Sequence, residues 1–534
     1  VQVLAVLPLV MQHQPVCDSA RDDNRRLLCS LLQVSTAVRT ALQQSAVRCN
    51  AYIGYGCSLK WNNKQVASFA AWIKEQGALL RELRVNAADD VVDAWEQLIT
   101  TALQLHSTSA AGCSPTASAC VASSGSSTQH SSMAAAARLP LGLASLSWVR
   151  LQAPALLQAL QSAPKLTDLQ LLAPQAVTLG MLAALGRLTT LHSLAVREGM
   201  PSHLRSGLLP QFAGTVGNLS RLTKLEFRYL DEVRADSLRL LPTSLRELEV
   251  TVLPGQGGQS GQQAIPLAAL PRLESLRLFW EGEQASTARV DLPVTLTKLC
   301  IGGKVQTSAV PAGVCYMELI DPALCTDLVN ALPALNGLTT LKLRFTECSP
   351  GGAESFAPIV SVLTALSCLS KISVDNGLAQ LSASTCQSAG FGRALGQLGS
   401  LRKVKFVGWR FDTTDALHLS ALTQLTSLNV FCSGSGFNDM VVSSIAVCST
   451  SLESLDISCC GVQSQYVFPV LAKLPKLRSL FMSGNDVIVD DLGLMRFASS
   501  TSLTRLELPI IRGVTDNGMT RFYEAIEPHH MVVV

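Results

Sequence analysis

One hexamer recurs along the chain: L-x-x-L-x-L, with conservative replacements at its apolar positions. It reads LTDLQL at 166–171, LTKLEF at 222–227, LTTLKL at 338–343, LESLDI at 452–457 and LTRLEL at 503–508. Fifteen such units start between residues 146 (LSWVRL) and 503, a mean period of 25.5 residues, and LRELRV at 80–85 is a degenerate sixteenth. The fourth and sixth positions alternate with a polar residue, which is the period of a short half-buried strand. Between hexamers lie apolar runs such as 179–188 and 466–474, which read as short returning helices. A strand and a helix of this size cannot bury their own apolar faces. They must stack on neighbours, which gives one continuous core and a parallel sheet.

That pattern accounts for the composition. The 534 residues include 86 leucines and only 15% charged side chains, with mean hydropathy +0.29. Such apolarity raises the question of membrane spans, and the sequence answers it negatively. The uncharged stretch 97–137 turns into Ser, Ala, Thr and Gly, and 355–370 is too short and contains a proline; a spanning helix needs about 20 apolar residues. The opening VQVLAVLPLV lacks a basic n-region and a cleavage site, which speaks against a secretory leader. With 42 basic and 39 acidic residues the net charge is +3, so bulk charge does not recruit nucleic acid.

The hexamers and their spacing resemble the leucine-rich-repeat family. The resemblance covers roughly 139–526 and implies an α/β solenoid of horseshoe form, with parallel strands on the concave face and short helices on the convex face. In that family a ninth-position Asn or Cys saturates backbone groups in the turn after the strand; Cys460 and Asn485 match, whereas Pro154, Pro174, Gly199, Trp409 and Ile511 do not. The segments 452–462 and 514–519 resemble the cysteine-containing subtype common in F-box proteins.

Ahead of the array the composition changes. Residues 1–60 read as a helical region, 61–106 as helices with the degenerate first repeat, 107–138 as a low-complexity loop, and 527–534 as a tail. The first region resembles a divergent F-box: Leu7-Pro8 opens it, apolar residues including Leu31 recur at helical spacing, and Val34 to Arg39 occupies the closing turn. The resemblance implies a Skp1-type adaptor held by Leu7, Pro8, Leu31, Val34 and Val38. Ser and Val replace the usual Cys and Trp of that turn, and a plain helical cap over the first repeat is the alternative.

Sixteen scattered cysteines without C-x-x-C or a nearby histidine pair read as buried thiols in a reducing, intracellular (cytoplasmic) setting rather than as a zinc site. Nucleophile-elbow, zincin, P-loop and dinucleotide-binding motifs are absent, so neither catalytic residues, cofactor nor metal are expected. What remains is a surface. Positions three, five and seven of each hexamer face outward on the concave side. From unit 296 to unit 401 they carry Lys298, Lys342, Arg344, Lys371, Lys403 and Lys405, with Trp409 and Arg410 just beyond and Glu318 and Asp375 as acidic exceptions. Units 222–250 mix signs: Lys224, Glu226, Arg228, Glu247, Glu249. The basic stripe suits an acidic protein segment, or else these are ordinary solubilising charges. Stacking aromatics for RNA are few. The expected role is a protein-interaction module, either an F-box-like substrate receptor or a structural scaffold subunit of a larger assembly.

Overall fold

The computed structural model describes residues 49–53, 80–85, 143–149 and most of 157–533; the main stretches outside are 173–178, 198–208, 232–237, 254–263, 281–286, 322–324, 346–356 and 377–389. Leu7, Pro8, Leu31, Val34, Val38 and the segment 107–138 lie outside the described residues. The chain forms two compact units, Val1–Val250 and Thr251–Val534.

In the first unit each hexamer supplies one strand of a parallel ladder. The strands are β1 (Cys49–Ile53), β2 (Leu80–Val85), β3 (Ser145–Val149), β4 (Asp168–Leu172), β5 (Ser193–Arg197) and β6 (Lys224–Asp231). β1 to β6 pair in chain order, and Leu83, Leu146, Leu169, Leu194 and Leu225 form one row across them. This register moves the unit read as 146–151 three residues earlier. Leu146 is a fourth-position residue, so the hexamer is Leu143 to Trp148. β1 is a strand inside a region expected to be helical; CNAYI contains no leucine for the repeat to be seen by, and its Ala51 and Ile53 stand in register with Leu83 and Val85. Helices α1 (Leu179–Leu185) and α2 (Leu209–Gly217) return the chain, and β7 (Glu247–Leu253) follows β6.

The second unit continues the same rule. Its ladder runs through β9 (Ser275–Trp280), β11 (Lys298–Gly302), β13 (Tyr316–Ile320), β14 (Thr340–Phe345), β15 (Lys371–Asn376), β16 (Lys403–Val407), β17 (Ser427–Phe431), β19 (Ser454–Asp456), β21 (Ser479–Phe481), β22 (Arg505–Glu507) and β23 (Val532–Val533). The segment expected as a tail therefore supplies a strand: Val532 and Val533 pair with Arg505 and Leu506. Three early repeats return through strands: β10 (Ala288–Asp291) lies between β8 (Ala264–Pro266) and β12 (Val305–Thr307). Later repeats return through helices α3 (Thr326–Ala331), α4 (Ala357–Leu363), α5 (Phe391–Gly396), α6 (Thr413–Leu417), α7 (Asp439–Cys448), α8 (Phe468–Ala472), α9 (Asp491–Ala498) and α10 (Asp516–Ile526). The two remaining strands, β18 (Gly434–Asn438) and β20 (Cys460–Gly461), pair beside the turns.

First, fourth and sixth positions fill the core: Leu338, Leu341 and Leu343 are at most 1% exposed, and other repeats follow suit. Each such side chain contributes ~1.5–3 kcal/mol on burial. The second position has a different task. Its carbonyl accepts two backbone N–H groups from the next repeat, as Thr297 O does from Cys315 and Tyr316, and Arg402 O from Thr426 and Ser427.

In six repeats of the second unit position eight is a left-handed residue. It holds Gly303 (φ 85°), Asp321 (51°), Gly408 (64°), Cys432 (55°), Cys459 (53°) and Gly484 (69°). The turn lets the N–H at that position reach the seventh-position carbonyl of the following repeat: Asp321 to Arg344, Gly408 to Phe431, Cys432 to Ser458 and Cys459 to Ser483. Glycine suits this backbone, whereas a residue with a Cβ costs roughly 1–2 kcal/mol there.

Candidate functional site

The ladder register settles which outward side chains are neighbours. In the second unit the third-position row runs Lys298, Tyr316, Thr340, Lys371, Lys403, Ser427. The fifth-position row runs Cys300, Glu318, Lys342, Ser373, Lys405, Asn429, and the seventh holds Arg344 beside Asp375. The six basic residues expected on one face are therefore on one face, but they divide into two groups.

The first group surrounds Glu318. Its side chain is 2% exposed and accepts a hydrogen bond from the Tyr316 hydroxyl at 2.7 Å. Arg277 reaches it from two strands away at 3.2 Å, and Arg344 at 3.9 Å. Lys342 stands over the Tyr316 ring, 5.3 Å from its centroid. Burial alone would push the carboxyl up. The Tyr316 hydroxyl and the charges of Lys342, Arg277 and Arg344 outweigh it and hold Glu318 below the usual carboxylate value. The same burial and the Glu318 contact push the Tyr316 phenol well above its ordinary range, so it stays a donor. Lys342 and Arg344 thus have an internal counter-charge.

The second group has none. Lys371 and Lys403 are opposite one another on β15 and β16, and Lys405 lies one pleat along. All three are exposed and make no ion pair among the described residues. Lys298 is exposed on β11 at the other end of the row. Arg410 is exposed too, its aliphatic stem lying along Gly434.

Trp409 departs from expectation. It is fully buried rather than at the margin of the stripe. Position nine points inward, and the indole fills the core against Phe345, Phe391 and Phe406, with centroids 6.1, 5.4 and 6.4 Å away. At the two positions that match the family's ninth residue the expected backbone role appears. Asn485 donates to the Ile457 and Met482 carbonyls at 2.8 and 2.7 Å and accepts from the Cys460 N–H at 3.0 Å. The Cys460 thiol donates to the Val430 carbonyl at 3.0 Å. The cysteines are not uniformly core residues: Cys300 and Cys325 are buried, Cys315, Cys432, Cys459 and Cys460 are half-buried, and Cys368 and Cys448 are exposed. Burial pushes the Cys325 thiol up to about 12.

The first unit carries a feature that was not expected. A hollow of about 310 Å³ opens over Ala195, lined by Asp168, Gln170, His192, Arg197, Lys224 and Glu226 among others. Ala195 stands at an outward fifth position between Gln170 and Glu226, so a small side chain there leaves the depression. The short residue was visible in LHSLAV, but its neighbours became known only with the register. The walls are self-neutralised: Arg197 grips the buried Glu226 through two hydrogen bonds of 2.6 and 2.7 Å, and Lys224 pairs with Glu247 at 3.3 Å. Among the described residues no group of His, Cys, Asp and Glu is arranged to hold a metal, and no helix is long and apolar enough to cross a membrane.

No family model matches the chain, and no curated protein matches it. Among solved structures it is similar to an internalin of Listeria monocytogenes (InlF), at 15% identity, covering 73% of this chain and 86% of that one, with a TM-score of 0.33. A leucine-rich-repeat protein of Leptospira interrogans is similar at 13% identity over 74% and 90% of the two chains, TM-score 0.31. A second Listeria monocytogenes internalin (InlC2) matches at 17% identity over 38% and 74%, TM-score 0.24. The ladder itself, one parallel strand per hexamer with short returns behind it, is that of an α/β leucine-rich-repeat solenoid.

Proposed function

We propose that this chain is a protein-interaction module whose second unit binds an acidic segment of a protein partner along β14 to β17. The observation that carries the reading is the Lys371, Lys403 and Lys405 cluster. Like charges directly opposite on neighbouring strands repel, and among the described residues no carboxylate pairs with these three. A partner carboxylate does so, and gains steering as well as contact. Lys298, Lys342 and Arg344 extend the surface, though the last two share the Glu318 carboxylate with Arg277.

The test is a fluorescein-labelled, glutamate-rich peptide titrated into the full chain by anisotropy. Lys403→Glu with Lys405→Glu is expected to weaken binding by roughly tenfold or more at low salt. Lys224→Glu, on the first unit and already paired with Glu247, is expected to leave it unchanged. Equal affinity for wild type and the double variant would refute the stripe.

A finer reading concerns the N-terminus. The F-box-like residues Leu7, Pro8, Leu31, Val34 and Val38 support an adaptor-binding substrate receptor, with a ubiquitin-ligase complex as its setting; a scaffold subunit is the other reading. Capture of a purified Skp1-type adaptor by the full chain, lost on Pro8→Ala with Leu31→Asp, favours the receptor. No capture favours the scaffold.

A further inference from the structure

The left-handed row contains two side chains that can react with one another. Cys432 and Cys459 hold the eighth position of consecutive repeats, where Gly408 stands on one side and Gly484 on the other. Their strands are in-register neighbours, Leu428 opposite Leu455 and Asn429 opposite Asp456. Equivalent Cα atoms on such strands are about 4.8 Å apart, inside the roughly 4.4–6.8 Å that a disulfide spans.

The surroundings are built around the sulfurs. The Cys432 N–H donates to the Ser458 carbonyl at 3.0 Å, which holds the two cysteines side by side. A Cβ added at Gly484 would come within 2.5 Å of the Cys459 sulfur, so this sulfur lies over the glycine and turns about its Cα–Cβ bond to meet Cys432. Both cysteines are half-buried, within reach of a small reagent. Glycine would satisfy the backbone at either position better than cysteine does, so turn geometry alone does not call for these thiols. The adjacent Cys460 is occupied differently, with its thiol donating to the Val430 carbonyl.

We propose that Cys432 and Cys459 form a reversible dithiol–disulfide site whose oxidant is a low-molecular-weight disulfide of the glutathione type. One thiolate attacks the glutathione disulfide, forming a mixed disulfide and expelling one glutathione thiolate. The second cysteine, as its thiolate, attacks the protein sulfur of that mixed disulfide and expels the second. The sulfur–sulfur bond of the reagent breaks as that between Cys432 and Cys459 forms. The two protons end on the two glutathiones, and the protein dithiol has lost two electrons to the reagent.

The experiment incubates the full chain in buffers of rising glutathione disulfide to glutathione ratio, quenches with acid, and maps the peptides by mass spectrometry. The expected product is a 432–459 cross-linked peptide, two hydrogens lighter than the free pair, that dithiothreitol removes. Oxidation is also expected to raise Tm. The variant Cys432→Gly with Cys459→Gly tests the same site without threatening the fold. Its reduced form is expected to melt no lower than wild type, and its oxidant-dependent Tm shift is expected to vanish. Stable single glutathione adducts without the cross-link, a cross-link through Cys460, or a Tm shift that survives in the double-glycine variant would each overturn the proposal.

Discussion

At the scale of single residues, inward and outward positions of the hexamer separate cleanly, and three side chains show the consequences. Trp409 is a core residue, so Trp409→Ala is expected to cost ~3–5 kcal/mol in chemical denaturation while acidic-peptide binding per folded molecule stays unchanged. Glu318 is the electrostatic hub beneath the stripe. Its folded carboxyl lies below the ordinary value, so its contribution to stability is present above the unfolded pKa and is lost as pH falls through the folded one. Acid denaturation of Glu318→Gln is therefore expected to be flatter below about pH 4.5 than that of wild type, and denaturant midpoints across pH 2–6 measure it. Cys432 is displaced in the other direction: burial first, then the Cys459 thiol and the Asp456 charge, push it up to about 11. Iodoacetamide labelling of Cys432 in the reduced chain is expected to rise about tenfold per pH unit between pH 8 and 10, following the thiolate fraction.

At the scale of elements, the helices of the second unit are tied to one another by carboxylates that the hexamer pattern does not encode. Asp412, Asn438, Asp490 and Thr515 cap α6, α7, α9 and α10. Other acids reach across to a neighbouring repeat. Asp415 accepts from the Gly392 and Arg393 N–H groups at 2.9 and 3.0 Å, Asp439 from Gln463 at 3.1 Å, and Asp491 from the Thr515 N–H and hydroxyl at 2.7 and 2.8 Å. Gly518 makes room for the Asp491 carboxylate, and Gly392 for the backbone carbonyl of Asp415. Asp491→Ala is expected to cost ~1–2 kcal/mol and to raise hydrogen exchange at the start of α10 more than at the strands. The helical runs were legible: 179–188 contains α1, and 466–474 takes in all but the first residue of a 3-10 turn (Gln465–Val467) and then α8. Their ends were not, because a returning segment of five to eleven residues stops where the next hexamer's backbone claims its hydrogen bonds rather than where propensity runs out.

At the scale of the whole molecule, the parallel ladder, its inward rows and its outward basic row were all readable from leucine spacing, because period two fixes which side of a strand each residue takes. Four things were not. The strands β1 and β23 carry too few leucines to announce themselves, and the start of β3 was misread by three residues because Leu143 and Leu146 both open a plausible hexamer. The division of the basic row by Glu318, and the hollow over Ala195, depend on which residues are cross-strand neighbours, which spacing alone leaves open. Binding at the stripe is expected to weaken as salt rises, since its lysines are exposed and screened; anisotropy of the acidic peptide between 50 and 300 mM salt measures this, and a flat profile would contradict a charge-led contact. The unequal repeat lengths have a mechanical consequence. Successive hexamers start as few as 18 residues apart, at 296 and 314, or as many as 32, at 369 and 401. In a ladder where each strand holds only its neighbours, a force that peels strands singly releases one repeat per event. At about 3.3–3.6 Å per extended residue the released lengths would run from roughly 60 to 115 Å. A single-molecule extension trace of either unit would then carry its steps in an order that identifies which repeat has let go.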